Sequence, residues 1–198
     1  EIEFASWFTK SKIIGITGTN GKSTTVKIIE KLLKTKFSNT FIGGNIGISF
    51  SQNVLIEIEN ELTNVIHLLE LSSFQLEKVM SFKPNIACFL NLSPDHLDRH
   101  LDLNEYFQAK NNIIKNHTSN TIFLFNEDDK YLENEYKKYN YMKFSIKNSK
   151  NKIFIKNGSI ISDKDDGDII DYRNTRLKGN HNLENIIAAI TIAKLMKI

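Results

Sequence analysis

The sequence has few of the residues that cross-link or restrict a chain: its 198 residues include one cysteine, two prolines and one tryptophan. A single cysteine cannot form an internal disulfide, so we expect a protein of a reducing compartment, the cytoplasm. Cys88 lies in the apolar run NIACFLN, which favours a buried thiol over a reactive one. No stretch approaches the ~18 uncharged apolar residues of a membrane-spanning helix. No signal peptide is recognisable either, so we expect no membrane span.

Charge of one sign is not in strong excess. The net charge is +3 and the basic residues are scattered along the chain, which argues against a nucleic-acid partner. A length of 198 residues is typical of one domain with its own core. The chain begins at Glu1 without a methionine and ends at Ile198 inside a predicted helix. We therefore expect one domain of a longer protein, acting as a monomer on small molecules.

Short apolar runs alternate with helical patterns up to Tyr141. This alternation predicts an α/β fold in which a mainly parallel sheet carries helices on both faces, and ligands then collect at the carboxyl ends of the strands. The predicted strands are Lys12–Thr17, Asn64–Leu71, Asn85–Asn91 and Thr121–Phe125, and the predicted helices are Lys22–Lys34, Phe74–Met80, Leu103–Asn116 and Glu127–Lys138.

The pattern changes after Tyr141, where YMKFSI, KIFIK and SIISD are short strand candidates. The pair Asn157-Gly158 favours a type I′ hairpin, so we predict a small antiparallel addition at a sheet edge. The polar stretch Ser162–Thr175 is interpreted as a loop or a frayed edge. A last helix begins near Asn180, with an apolar stripe formed by Ile186, Ile187, Ile190 and Leu195.

The stretch ITGTNGKST joins the first strand to the first long helix and is similar to a phosphate-binding loop. The common pattern is G-x-x-x-x-G-K-[ST], whereas here Ile16 occupies the first-glycine position and the extra glycine is Gly18. Gly18 and Gly21 let the backbone turn so that its amides and the helix N-terminus form an anion site. Lys22 is placed to reach the phosphates, and Ser23 or Thr24 offers a hydroxyl to Mg²⁺. The alternative is a glycine-containing turn followed by a surface lysine.

Acidic and imidazole side chains follow the next two strands. Glu70 ends one predicted strand, and Asp95 and His96 follow another. Ligands of these types at neighbouring strand ends can hold a divalent cation beside the phosphates. The alternative is two separate structural roles, with Glu70 as a charge near a helix N-terminus and His96 as a loop cap.

Lys110 lies in the middle of an apolar helix face, whose other members are Leu103, Tyr106, Phe107, Ile113 and Ile114. The pattern alone favours a buried stem with the ammonium in water. Full burial would instead lower the pKa of the amine. A neutral amine can react with CO₂ to give a carbamate, which is an anionic metal ligand.

Two of these segments, TGTNGKST and PDHLDRHLDLNEYFQAK, resemble the Mur ligase family, enzymes that add amino acids to the cell-wall precursor. The resemblance implies ATP and two Mg²⁺ ions. Ser23 and Thr24 would help to hold the first ion, and Glu70, His96 and carbamylated Lys110 the second. It also implies catalytic roles for Lys22, His96 and Lys110. The implied nucleotide contacts in the loop are Gly18, Thr19, Asn20, Gly21, Lys22, Ser23 and Thr24.

Other segments resemble the D-glutamate-adding members of this family: GGNIG at Gly43–Gly47, ELSSFQLE at Glu70–Glu77, and NLSPDHLDRH. This likeness implies substrate contacts from Asn45, Ser72 and His96. The segment GNHNLENIIAA resembles the family's adenine-side motif, with Asn182 and Asn185 near the base. That segment is also compatible with a helix N-terminus capped by Asn180.

The resemblance implies ATP-dependent joining of D-glutamate to UDP-N-acetylmuramoyl-L-alanine through an acyl phosphate. Residues 1–198 would be the central ATP-binding domain, without the UDP-binding amino-terminal and amino-acid-binding carboxy-terminal domains, and inactive alone. Three alternatives remain: a family member that adds another amino acid, a P-loop kinase or NTPase, and a nucleotide-binding module without catalysis.

Overall fold

The computed structural model describes residues 1–95, 99–148, 153–156, 159–162 and 168–198. Its main sheet is formed by β1 (Lys12–Thr17), β2 (Thr40–Gly44), β3 (Ile66–Glu70), β4 (Ile86–Phe89), β5 (Ile122–Asn126) and β6 (Met142–Phe144). The strand order is β2-β3-β1-β4-β5-β6, and every neighbouring pair is parallel. The first strand of the chain is therefore central, and all carboxyl ends meet at one edge.

Helices cover both faces of this sheet, as the alternating sequence pattern predicts. They are α1 (Ile2–Ser6), α2 (Lys22–Leu33), α3 (Phe50–Glu59), α4 (Ser73–Leu76), α5 (Leu103–Asn111), α6 (Lys130–Tyr136) and α7 (Asn180–Leu195). Along β1, Ile14 and Ile16 point into a core shared with α2 and α7, whereas Ile13 points into a second core with the other helices. Because both faces are buried, the strands are short continuous apolar runs. None of the described helices is long and apolar enough to cross a bilayer.

A second, smaller sheet is antiparallel and consists of β7 (Ile153–Lys156), β8 (Ser159–Ser162) and β9 (Asp168–Asp171). The pairing of Lys156 with Ser159 confirms the predicted hairpin, although its turn residues Asn157 and Gly158 lie outside the described residues.

One expectation for this part of the chain was wrong, and a second left alternatives that the structure distinguishes. Met142–Phe144 is not part of the antiparallel addition, because α6 provides a crossover that lets β6 pair in parallel with β5. The stretch Ser162–Thr175, interpreted as a loop or a frayed edge, contains β9, an edge strand of the small sheet, and a 3-10 turn at Tyr172–Asn174. Its polar composition is compatible with a strand because β9 pairs only with β8.

Candidate functional site

The candidate site is built around the turn between β1 and α2. Gly18 has a φ of +151° and Gly21 a φ of +81°, both in the region that favours glycine. Gly21 is the N-cap residue of α2, and a Cβ at this position would collide with the side-chain carbonyl of Asn185. The turn therefore requires glycine at Gly21 both for its backbone angles and for the close approach of α7.

The backbone amides of this loop fall into two groups. The Thr19 amide donates to the Asn91 carbonyl (3.0 Å) and the Asn20 amide to Asn91 Oδ1 (2.8 Å). The amides from Gly21 to Thr24 donate to no residue that the structure describes. These unused donors at the N-terminus of α2 fit a phosphate group, and the α2 dipole adds to the attraction.

Lys22 folds back over the loop. Its Nζ donates to the carbonyls of Gly18 and Thr19, both at 2.8 Å. Partial burial lowers the pKa of its ammonium, while Glu70 and Asp95 act in the opposite direction. The ammonium of Lys22 therefore lies over the loop, where two neutral carbonyls hold it.

Glu70 at the end of β3 is the buried acid of the site, with 2% exposure. Its Oε2 accepts from Ser23 Oγ (2.7 Å) and its Oε1 accepts from Asn45 Nδ2 (2.9 Å). The Glu70 carbonyl also accepts from the Asn45 amide at 2.8 Å. The structure therefore joins a predicted metal ligand, a loop hydroxyl and a predicted substrate contact in one hydrogen-bonded group.

Lys110 is fully buried, with 1% exposure, so the expectation that its ammonium reaches water was wrong. Its Nζ donates to the Gly18 carbonyl (3.0 Å) and lies 4.5 Å from the centre of the Tyr106 ring. Burial, and secondly the nearby Lys22 ammonium, lower the pKa of Lys110 to about 7, against the effects of Asp95 and Glu70. Because α5 turns this side chain under the loop, one carbonyl oxygen accepts from two lysines.

The structure describes all but one of the metal ligands that the resemblance implies. Glu70 and Lys110 lie against the loop and its helix, Ser23 and Thr24 belong to the first turn of α2, and His96 lies outside the described residues. The described residues contain no cluster of three or more His, Cys, Asp or Glu side chains suited to a metal ion. The carboxylate of Glu70 and the hydroxyl of Ser23 are nevertheless the hard oxygen donors that Mg²⁺ prefers.

The other predicted contacts lie around this centre. Ser72 is the N-cap of α4, where its hydroxyl and the side chain of Gln75 form a capping box. Asn185 is 5% exposed and packs against Gly21, whereas Asn182 donates to the Lys178 carbonyl at 2.8 Å. The alternative of a cap by Asn180 was wrong, because the N-cap of α7 is Gly179 and it makes no side-chain cap bond.

Sequence reasoning missed Asn91, the residue that holds the Thr19 and Asn20 amides. The available signal was an asparagine directly after a buried apolar run, at the strand end where ligands collect.

Comparison with known proteins gives consistent matches. The family model described as the Mur ligase middle domain matches residues 16–193. A UDP-N-acetylmuramoylalanine–D-glutamate ligase of Fusobacterium nucleatum is 42% identical over 96% of this chain and 43% of its own length. Ligases of the same name are 35% identical in Lachnoclostridium phytofermentans and 37% in Christiangramia forsetii, each over 100% of this chain. The chain spans less than half the length of these relatives, 43% to 45%.

Solved structures share the fold. A UDP-N-acetylmuramoyl-L-alanyl-D-glutamate–2,6-diaminopimelate ligase has a TM-score of 0.74 at 22% identity, over 100% of this chain and 46% of that one. The MurF ligase of Thermotoga maritima in complex with ADP has a TM-score of 0.66 at 22% identity, over 99% of this chain and 48% of that one.

Proposed function

This chain belongs to the Mur ligase family as a middle domain, and from this we propose that it is the ATP-binding core of a ligase that joins D-glutamate to UDP-N-acetylmuramoyl-L-alanine. The observation that carries the D-glutamate assignment is the identity of 35% to 42% over at least 96% of the chain to ligases named for that substrate. Residues 1–198 would supply the nucleotide site, and flanking domains would supply the sites for the UDP-sugar and the amino acid.

The loop geometry supports a triphosphate site. The unused amides from Gly21 to Thr24 would surround the phosphates, and Lys22 would exchange its two carbonyl partners for phosphate oxygens. Asn185, packed against Gly21, and Asn182 would lie towards the adenine.

Two Mg²⁺ ions fit the oxygen donors near the loop. Ser23 and Thr24 would contribute to the first, and Glu70, His96 and a modified Lys110 to the second. When bound, such ions offset repulsion between the nucleotide and an anionic substrate and polarise the transferred phosphoryl group. Glu70 would exchange its side-chain hydrogen bonds from Ser23 and Asn45 for an ion. The side-chain amide of Asn45 would then be free to bind substrate.

The reaction would proceed in two displacements. The carboxylate of UDP-N-acetylmuramoyl-L-alanine attacks the γ-phosphorus of ATP, forming an acyl phosphate as ADP leaves. The amine of D-glutamate then attacks the acyl carbon, phosphate leaves, and the nitrogen loses a proton to give the amide. The alanyl end of the acceptor would be held by Asn45, Ser72 and His96. Lys22 would stabilise negative charge on the phosphoryl group during its transfer.

Phosphate release from the complete gene product tests this function. We expect release from ATP only when the UDP-sugar acceptor and D-glutamate are both present, with one amide formed per phosphate. Lysine, diaminopimelate and alanine serve as competing amino acids. Release without an acceptor would indicate an NTPase, a stable phosphorylated acceptor would indicate a kinase, and turnover with another amino acid would assign another branch of the family.

The full burial of Lys110 supports a carbamate at this residue, as in the family it resembles. Its neutral amine would attack CO₂, lose one proton and become an anion, which removes the repulsion from Lys22. Carbon-13 NMR in labelled bicarbonate should show one slow-exchanging carbamate that is absent from Lys110→Arg and kept in Lys115→Arg, a control on the exposed segment after α5. Equal spectra for the two variants would contradict the modification.

We also propose that the protein is a cytoplasmic monomer that acts on small molecules and has no nucleic-acid partner. Light scattering after size exclusion, together with fractionation of cells, checks the first two points.

A further inference from the structure

The side chain of Asn91 holds one residue of the phosphate loop from both sides. Its Oδ1 accepts from the Asn20 amide (2.8 Å) and its Nδ2 donates to the Asn20 carbonyl (3.0 Å). Both polar backbone groups of Asn20 are therefore satisfied by one side chain from the end of β4. Only a side-chain amide has a donor and an acceptor in this arrangement, because a carboxylate has no donor and alanine has neither.

This contact continues along the segment after β4. The Thr19 amide donates to the Asn91 carbonyl (3.0 Å), Thr19 Oγ1 donates to the Ser93 carbonyl (3.2 Å), and the Ser93 amide donates to Thr19 Oγ1 (3.1 Å). The Leu92 amide is in turn held by Asp129 Oδ2 at 2.8 Å. The first half of the loop is thus bonded to a segment that is itself anchored at the start of α6.

We infer that Asn91 is a positioning residue for nucleotide binding, an inference that rests on the proposed nucleotide site. It acts on the phosphates through the loop: by occupying the amides of Thr19 and Asn20 it leaves those from Gly21 to Thr24 as the donors that face the ligand. A loop already ordered loses less conformational entropy when the phosphate binds. The same bonds join the loop to the chain segment that leads to His96, one of the three predicted ligands of the second cation.

Asn85 provides a matched control because it lies just before β4, whereas Asn91 lies just after it. Its Oδ1 accepts from the Ile13 amide at 2.8 Å, so Asn85→Ala also removes a bond from an asparagine side chain to a neighbouring backbone amide. That bond lies at the amino end of β4, away from the loop. The pair of alanine variants therefore separates loss of a strand-end bond from loss of loop positioning.

The experiment measures the affinities of the complete gene product for ADP and AMP by competition with a fluorescent ADP analogue. The β-phosphate of ADP is what the loop would bind and AMP lacks it, so the ratio of the two affinities reports on the loop itself. We expect Asn91→Ala to lower ADP affinity about tenfold, from the loss of two hydrogen bonds. AMP affinity should fall less than about twofold, and Asn85→Ala should leave the ratio unchanged.

Asn91→Asp keeps the size of the side chain and removes the donor to Asn20, so it serves as the second variant if alanine prevents folding. This variant should also lower the ratio of ADP affinity to AMP affinity. A ratio in both Asn91 variants equal to that of Asn85→Ala would overturn the positioning role while leaving the nucleotide site in place. Failure of the unsubstituted protein to bind either nucleotide would instead overturn the proposed site, and the inference with it.

Discussion

The amino ends and the carboxyl ends of the strands in the main sheet, here called its amino-terminal and carboxyl edges, differ in how nearby charged groups are bonded. Near the amino-terminal edge, Glu3 accepts from the Trp7 indole, the Ser81 hydroxyl and the amides of Met80, Ser81 and Phe82. At the carboxyl edge, the ammonium groups of Lys22 and Lys110 converge on one carbonyl, and neither forms an ion pair with a residue the structure describes.

A second acid near the amino-terminal edge repeats this pattern. Glu57 accepts from Thr9 Oγ1 (2.8 Å), Ser11 Oγ (2.5 Å) and the ring of buried His67, whose Nε2 lies at 2.7 Å. These acids have their full set of donors, so this edge contributes to stability. At the carboxyl edge the ammonium groups of Lys22 and Lys110 lie close together, and Glu70 and Asp95 only partly offset their repulsion. This lowers the stability of the fold and leaves groups ready for a ligand. The following substitutions test that contrast.

Lys22→Ala should have the largest effect, and on activity alone. Turnover of the complete gene product should fall by about 10³-fold or more, because charge on the phosphoryl group loses its nearest cation. The melting temperature should change little, because the lysine bonds only to its own loop. Lys27→Ala, at an exposed position on α2, is the control, and turnover of Lys22→Ala close to that of the control would remove the phosphate role.

Glu57→Ala should have the opposite effect, lowering stability without changing nucleotide binding. We expect the free energy of unfolding to fall by about 2–3 kcal/mol, because two hydroxyls and a buried imidazole lose their acceptor. Urea denaturation measures this loss, and ADP affinity should stay unchanged. Glu59→Ala, two residues further along α3 and exposed, is the control. A loss for Glu57→Ala no greater than for this control would show that the contacts of Glu57 add no stability.

Glu3→Gln should lower the free energy of unfolding by about 1–2 kcal/mol at neutral pH. The NH₂ group of glutamine is a donor and cannot accept the hydrogen bonds that the carboxylate accepts. Partial burial raises the pKa of Glu3, but its hydrogen bonds from Ser81, Met80 and Phe82 lower it to about 2. A lowered folded-state pKa gives stability that is present above the ordinary value of 4.5 and lost as the pH falls towards 2.

Melting temperatures of the unsubstituted protein and Glu3→Gln should therefore converge between pH 4.5 and about 2. A constant difference over this range would mean that the charge of Glu3 does not contribute.

Lys110→Met should give the smallest change in the free energy of unfolding, but this change should be an increase. In buffer free of CO₂ and bicarbonate, where Lys110 carries no carbamate, an apolar side chain of similar length removes a buried amine next to the Lys22 ammonium. The free energy of unfolding should therefore rise by about 1 kcal/mol, while turnover is lost. Lys27→Met, at an exposed position on α2, is the control. A clear loss of stability in Lys110→Met would mean that the carboxyl edge is not strained by its charges.

The sequence was most informative where the determinants are local. The strand Lys12–Thr17, the loop and the start of α2 follow from an apolar run, two glycines and a helix pattern within one segment. Family membership was confirmed because such segments occur together. The pattern placed Lys110 on the apolar face correctly, but whether its ammonium reaches water depends on which loop covers α5, and Gly18 is distant in sequence.

The features that sequence reasoning missed depend on distant pairing. β2, with two glycines among its five residues, and α3 were not predicted, and β9 became a strand only through its pairing with β8. The position of Asn91 after an apolar run marked it as a candidate, but its partner Asn20 could not be predicted. That contact requires β4 to lie beside β1, and no local pattern specifies neighbouring strands.

The close approach of Asn185 to Gly21 also bears on how the protein is made. Within residues 1–198, the phosphate loop leaves the ribosome first, and its supports follow in the order Asn91, Lys110 and Asn185. The site for nucleotide on a nascent chain is therefore incomplete until α7 has emerged, and cellular ATP can assist the folding of this domain only from that point.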